Sequence, residues 1–324
     1  ALTDSDYNTV VGYEALSSDT LGGRSTAIGY QALATQNFTS ATNVYNTAVG
    51  YSAGIAVTTG VNNTLIGGLS GDALTTGYNN VSLGYNSLST ETTGRLSVAI
   101  GVGALATQNT TADAYNTALG YNAGTAVTTG VQNTLIGGLA ADSLTTGKNN
   151  VAVGYQALET EDTGDRSVAI GSFTLKTQNN DADNYNTAVG YAAGLSVTTG
   201  IQNTLIGGLA GDALTDADYN VAVGYSALGA DTLGSKSVAL GWGTLLSQNF
   251  TSATDAYNTA VGHAAGELVT TGIQNTIIGG LAGDALTVGG NNVALGHLAL
   301  SADTQGSSSV AVGMSALTAQ NSTS

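Results

Sequence analysis

Apolar and polar positions alternate in short bursts along this chain, and each burst ends in glycine. "NTVVG" at 8–12 returns as "NTAVG" at 46–50, "NTLIG" at 63–67 and "NVAVG" at 220–224. Gly12, Gly29, Gly50 and Gly67 begin a series of 18 such glycines ending at Gly313, spaced by 17 residues except for four gaps of 21, 19, 19 and 21. Counted from the glycine, position −1 is always Val, Ile or Leu and −3 is always Thr or Val. Position −4 is Asn in thirteen units and Ser in five, and −2 is mostly Ala. Alternate β-branched residues predict a strand whose −1/−3 face is buried. The small −2/0 face should then stay wet in a monomer and serve as the face through which copies associate. No window holds a sustained 3.6-residue apolar period, so no helix is expected.

A 17-residue coil has room for two short strands and two turns. Stacked coils place each strand about 4.8 Å from its successor, giving a rod roughly 85 Å long. Identical side chains then form columns, and the Asn column can hydrogen-bond from coil to coil. The expected fold is all-β: a parallel β-roll solenoid of about 18 coils, with residues 1–324 as one uninterrupted shaft. The chain opens on "ALTDSDYN" and repeats it as "ALTDADYN" at 213–220. Both ends fall inside a repeat, so further repeats are expected on both sides, as in a segment of a longer fibre. A three-faced hexapeptide helix is the competing coil. Val49, Ile55 and Val61 fit its beat, but Ile66 follows after five residues and Asp72 falls on a core position.

The tandem N-S/T-x-A-V/I-G unit resembles the head repeat of YadA-like trimeric autotransporter adhesins. The longer "NTAVGYxAL…TTG" form is similar to repeats of phage tail fibres, and the resemblance covers the whole chain. It implies a left-handed β-roll, a homotrimer, and adhesive or receptor-binding use outside the cell, on a virion tail or a bacterial surface. Coils here are longer than that family's usual head repeat.

Every fourth unit is most alike, so a 70–72-residue super-repeat of four coil types overlies the short one. The first type carries an acid at +7: Asp19, Glu91, Glu161, Asp231 and Asp303. A basic residue follows within four or five positions (Arg24, Arg95, Arg166, Lys236), which reads as a surface ion pair. The second type ends in Gln-Asn, and all four long gaps follow it. These loops are candidate contact points, with Gln36, Asn37 and Phe38, and Gln248, Asn249 and Phe250, as candidate binding residues for host glycan or protein. The plainer reading is a spacer that covers a coil edge.

The fourth type contains "GGLSGDAL" at 67–74, an echo of a calcium-binding repeat, which makes Asp72, Asp142, Asp212 and Asp284 candidate metal ligands. One Asp per four coils cannot supply six to eight oxygens alone, and a turn Asp bonded to nearby backbone is the plainer reading. His263 and His297 replace Tyr at +1, a ring for a ring. The +7 acids could suggest glycoside cleavage, but no second acid column stands beside them. Thr-Thr pairs such as Thr58-Thr59 raise an ice-binding surface, yet "TTG" returns once in four coils.

Composition narrows the field. Six Lys/Arg against 22 Asp/Glu give a net charge of −16, which argues against nucleic acid and anionic membrane as partners. There is no Cys, hence no disulfide and no thiolate chemistry. No apolar run is long enough for a membrane helix, and no cofactor fingerprint is present. The expected role is a fibre shaft holding a distal tip, not an enzyme and without a cofactor. An adhesin binding through its lateral loops is the second reading, and a glycan-cleaving spike the third.

Overall fold

The computed structural model describes residues 7–322. The repeat of residues 213–220 at the very start of the chain falls mostly on residues 1–6, which lie outside the described residues. The chain is an all-β parallel solenoid of about 18 coils. Each coil contributes one three-residue strand at positions −3 to −1. Two contact units divide it, residues 1–165 and 166–324. Unit one holds nine of these strands, from Thr9–Val11 to Val151–Val153, and unit two nine more, from Val168–Ile170 to Val310–Val312. Within each unit neighbouring strands pair in parallel and in register: Thr64↔Val81 and Ile66↔Leu83 in the first, Thr204↔Val221 and Ile206↔Val223 in the second.

The second strand expected in each coil is nearly absent. Most of each coil outside the strand is turn. Two-residue strands pair at Gly22–Gly23 with Thr42–Asn43, and at Gly234–Ser235 with Thr254–Asp255. Three positions per coil explain why. Residues −5, +2 and +4 adopt left-handed backbone, as in Asn79 (φ 57°), Asn86 (φ 56°) and Leu88 (φ 50°). Such a residue costs about 1–2 kcal/mol and breaks any pleat. Coil-to-coil hydrogen bonds offset that cost: Asn86 N–H donates back to Gly68 O at 3.0 Å, and Leu88 N–H forward to Ala104 O at 3.0 Å.

The strands turn the opposite face inward from the one the sequence suggested. Position −2 is buried (Ala27, Ala48, Leu65, Ser82, Ala99) in every coil after the first, where Val10 is 38% exposed. Position −1, by contrast, is exposed or half-exposed: Ile28 36%, Leu83 43%, Leu119 45%. Volume is the reason. The core is one side chain deep, and its opposite wall already carries Leu at +4 (Leu33, Leu88, Leu105), so a small Ala or Ser stands across from it. In the fourth coil type the sizes trade places. Leu65 stands at −2, and +4 becomes Gly71 in its own coil and Gly54 in the preceding one. A Cβ on Gly54 would lie 2.6 Å from Leu65 Cδ1, and one on Gly71 2.8 Å from Leu65 Cδ2.

The motif glycine is required by both conformation and space. Gly84 has φ +145°, and a Cβ there would sit 2.4 Å from the carbonyl oxygen of Gly101 in the next coil.

Candidate functional site

Polar side chains fill part of the core. The Asn column is a ladder whose rungs mostly join side chain to backbone, with direct amide contacts of 3.3 Å from Asn63 Nδ2 to Asn46 Oδ1 and from Asn203 Nδ2 to Asn186 Oδ1. Asn63 Oδ1 accepts the backbone N–H of Asn80 at 3.0 Å, and Asn63 Nδ2 donates to Gly77 O at 3.0 Å. Each amide thereby satisfies a donor and an acceptor that the turns would otherwise leave unpaired.

Every fourth rung is Ser, too short to reach onward, and a buried Gln completes the link. Gln108 Nε2 donates to Ser97 Oγ at 2.9 Å and to Glu91 Oε2 at 3.0 Å, while its Oε1 accepts from Asn116 Nδ2 at 2.8 Å. Glu91 is fully buried. Its Oε1 also accepts the N–H groups of Thr92, Gly94 and Thr110 at 2.7–3.2 Å. Asp19 with Gln36 and Asp231 with Gln248 repeat the arrangement.

Two expectations are corrected by this network. The +7 acids are not surface ion pairs: Asp19, Glu91, Glu161, Asp231 and Asp303 have no exposed surface, and a backbone nest plus a Gln amide takes the place of a cation. Nor do the long loops present all their candidate contacts outward. Gln36 and Gln248 are fully buried, and Phe38 and Phe250 are 7% and 5% exposed. Each Phe ring covers the glycine beside the buried Asp; a Cβ on Gly22 would meet Phe38 Cδ2 at 2.9 Å. Asn37 and Asn249 do reach the surface, each accepting from a Thr of the preceding coil, Thr20 and Thr232.

The basic residues pair one coil further on. Arg95 binds Asp113, Arg166 binds Asp183, and Lys236 Nζ lies 2.5 Å from Asp255 Oδ2. Each cation also lies over a tyrosine face: Arg95 over Tyr78, Arg166 over Tyr185, Lys236 over Tyr257, at 5.1–5.5 Å from the ring centroid.

Asp72, Asp142, Asp212 and Asp284 are half-buried. Burial pushes all four carboxyls above the ordinary range, and the neighbouring charges of Glu159 and Glu267 add to the rise at Asp142 and Asp284. The Oδ1 atoms of Asp72, Asp142 and Asp284 have no hydrogen-bond partner. No three His, Cys, Asp or Glu side chains gather around a common point among the described residues.

The outer face of the strands presents a repeating set of exposed side chains. Columns −3 and −1 lie open, and the +1 rings flank them: Tyr13, Tyr51, Tyr85 and Tyr121 are 58–65% exposed. In the first unit Tyr13, Tyr30 and Tyr51 stack at 5.4 and 5.3 Å, and in the second His263 stacks on Trp242 at 4.8 Å. The Thr array is longer than the "TTG" count suggested, because +8 is Thr in twelve coils. Its hydroxyls serve the coil: Thr58 and Thr75 Oγ1 donate to backbone oxygens of the next coil at 3.3 and 2.9 Å.

Comparison with family models, curated proteins and solved structures finds no match.

Proposed function

We propose that this chain is the structural shaft of an extracellular attachment fibre, of tail-fibre or adhesin type. Its copies associate as a homotrimer through the open aliphatic and aromatic face of the strands. One observation carries the reading. A Val, Ile or Leu at −1 stands on the outer face in every coil, and a ring joins it at +1 in eleven of the 18, where water would meet them in a lone chain. Isolated exposed apolar residues are ordinary, but a continuous strip of them marks an interaction surface. An isologous pair or a ring of identical chains covers such a strip at every level, because the partner has the same repeat. The proposed role is mechanical: holding a distal tip away from its particle or cell, with weak multivalent contacts along the length.

An enzyme reading loses its carboxylates, since the +7 acids are sealed from any substrate. The adhesin reading gains the exposed column of tyrosines and cations.

Sedimentation equilibrium tests the proposal. A homotrimer has three times the 32.0 kDa chain mass, about 96 kDa, and placing Lys at Leu83 and Leu119 should dissociate it. A stable monomer at micromolar concentration contradicts it.

A further inference from the structure

Of the four cations that follow the +7 acids, one departs from the other three. Arg95, Arg166 and Lys236 each have an aspartate partner, at Asp113, Asp183 and Asp255. The corresponding position of the first super-repeat, seven residues before Gly50, is Asn43, which is exposed. Arg24 makes no ion pair among the described residues. Its guanidinium instead lies between two rings, 5.5 Å from the centroids of Tyr7 and Tyr45, and Nη1 donates to Tyr45 Oη at 2.9 Å. These three residues line an open cleft of about 370 Å³.

We propose that this cleft binds a sugar carrying a single carboxylate, of the uronic-acid type. A guanidinium presents paired N–H donors that match a carboxylate, and one hydrogen bond to a phenol leaves most of them available. Flat aromatic faces carry negative charge density that accepts the C–H face of a pyranose ring, and Tyr7 and Tyr45 are 80% and 50% exposed. The cleft volume falls in the range of small-ligand sites. Charge selects among anions. The chain as a whole carries −16, so one cation on an acidic surface favours a monoanion and disfavours polyphosphates and nucleic acid. The three paired cations act as internal controls, because an aspartate already occupies the place the ligand carboxylate would take. All three residues belong to one chain, so the site stands or falls independently of the trimer.

Ligand-observed NMR with the full chain tests this, using methyl glucuronoside, methyl glucoside and acetate as probes. Saturable binding of the glucuronoside at roughly millimolar concentration is expected, with the glucoside and acetate each at least about tenfold weaker. Arg24→Gln should lower glucuronoside affinity by about tenfold or more. Asn43→Asp, which installs the aspartate found in the other three copies, should do the same while leaving the circular dichroism unchanged. Asp113→Asn should create a second site at Arg95. Equal binding of glucuronoside and glucoside, equal binding of acetate, unaltered affinity in Asn43→Asp, or no saturation would each overturn the proposal.

Discussion

Gln36 Nε2 donates to Asp19 Oδ2 at 2.6 Å across a separation of 17 residues, inside a core that excludes water from both. The same Gln reaches Ser25 Oγ at 3.1 Å and accepts from Asn46 Nδ2 at 2.9 Å. One side chain thus joins three successive coils, and the same junction holds Glu91 through Gln108 and Asp231 through Gln248. Burying a carboxylate is costly unless its lone pairs are met by donors. Placing that cost once per super-repeat disfavours a coil slipping by one unit, because only the acid–Gln–Ser order satisfies every group.

Removing the relay should therefore be severe. Gln108→Leu keeps the volume but leaves Glu91, Ser97 and Asn116 short of partners. A loss of about 2–4 kcal/mol is expected, measured as hydrogen-exchange protection of the coils around residues 91–116. Protection within about 0.5 kcal/mol of the parent would show that the node does not hold the coils in register.

The motif glycine and its neighbour should behave differently. Gly84→Ala meets the Gly101 carbonyl and needs φ +145°. Gly68→Ala meets nothing closer than Tyr85 Cδ2 at 3.5 Å. The first should cost more than about 2 kcal/mol and the second less than about 0.5, read from denaturant midpoints. Equal effects would contradict the close stacking of the coils.

Size exchange in the core has its own signature. Leu65→Ala should cost about 2–5 kcal/mol through the cavity it leaves. Gly54→Ala should also destabilise, since its Cβ meets Leu65 Cδ1 and its φ is +58°. Combined, the two should cost less than their sum, because the shortened side chain makes room for the added methyl. Strict additivity in a double-mutant cycle would contradict their contact.

Much of this was legible in sequence. The glycine period fixed the strand positions, and an amide column was foreseeable from thirteen Asn at −4. The buried face was not. Large aliphatics at −1 suggested a core, and only the Leu at +4 shows that the space opposite −2 was already taken. The buried +7 acids were equally hidden, because a nearby Arg offers an obvious partner while a backbone nest leaves no mark in sequence. A usable signal existed in the two 21-residue gaps. There Phe38 and Phe250 accompany Asp19 and Asp231, whereas Glu91 and Glu161 precede gaps without Phe. The shorter acid leaves room for the ring.

Acidity should stabilise the folded chain through one set of groups. Burial raises the carboxyl pKa of Asp72, Asp142, Asp212 and Asp284 above the ordinary 3.8. Between that value and the raised one, the native state binds more protons than the unfolded state, so stability from these groups falls as pH rises through the window and is full below it. Replacing all four by Asn should remove that component. It should show as a difference between the two proteins that grows from acid toward neutral pH, measured by thermal unfolding. Parallel pH profiles would show that these carboxyls are not buried as described.

The inward and outward faces of one strand can be told apart by adjacent residues. The chain has no cysteine, so a single one reports its own surroundings. Ser82 is fully buried at −2 and Leu83 is 43% exposed at −1. Ser82→Cys should resist thiol reagents until the protein is denatured, while Leu83→Cys should form disulfides between copies on oxidation. A freely reactive thiol in Ser82→Cys, with one in Leu83→Cys that neither reacts nor cross-links, would reverse the strand and contradict both the core and the association face.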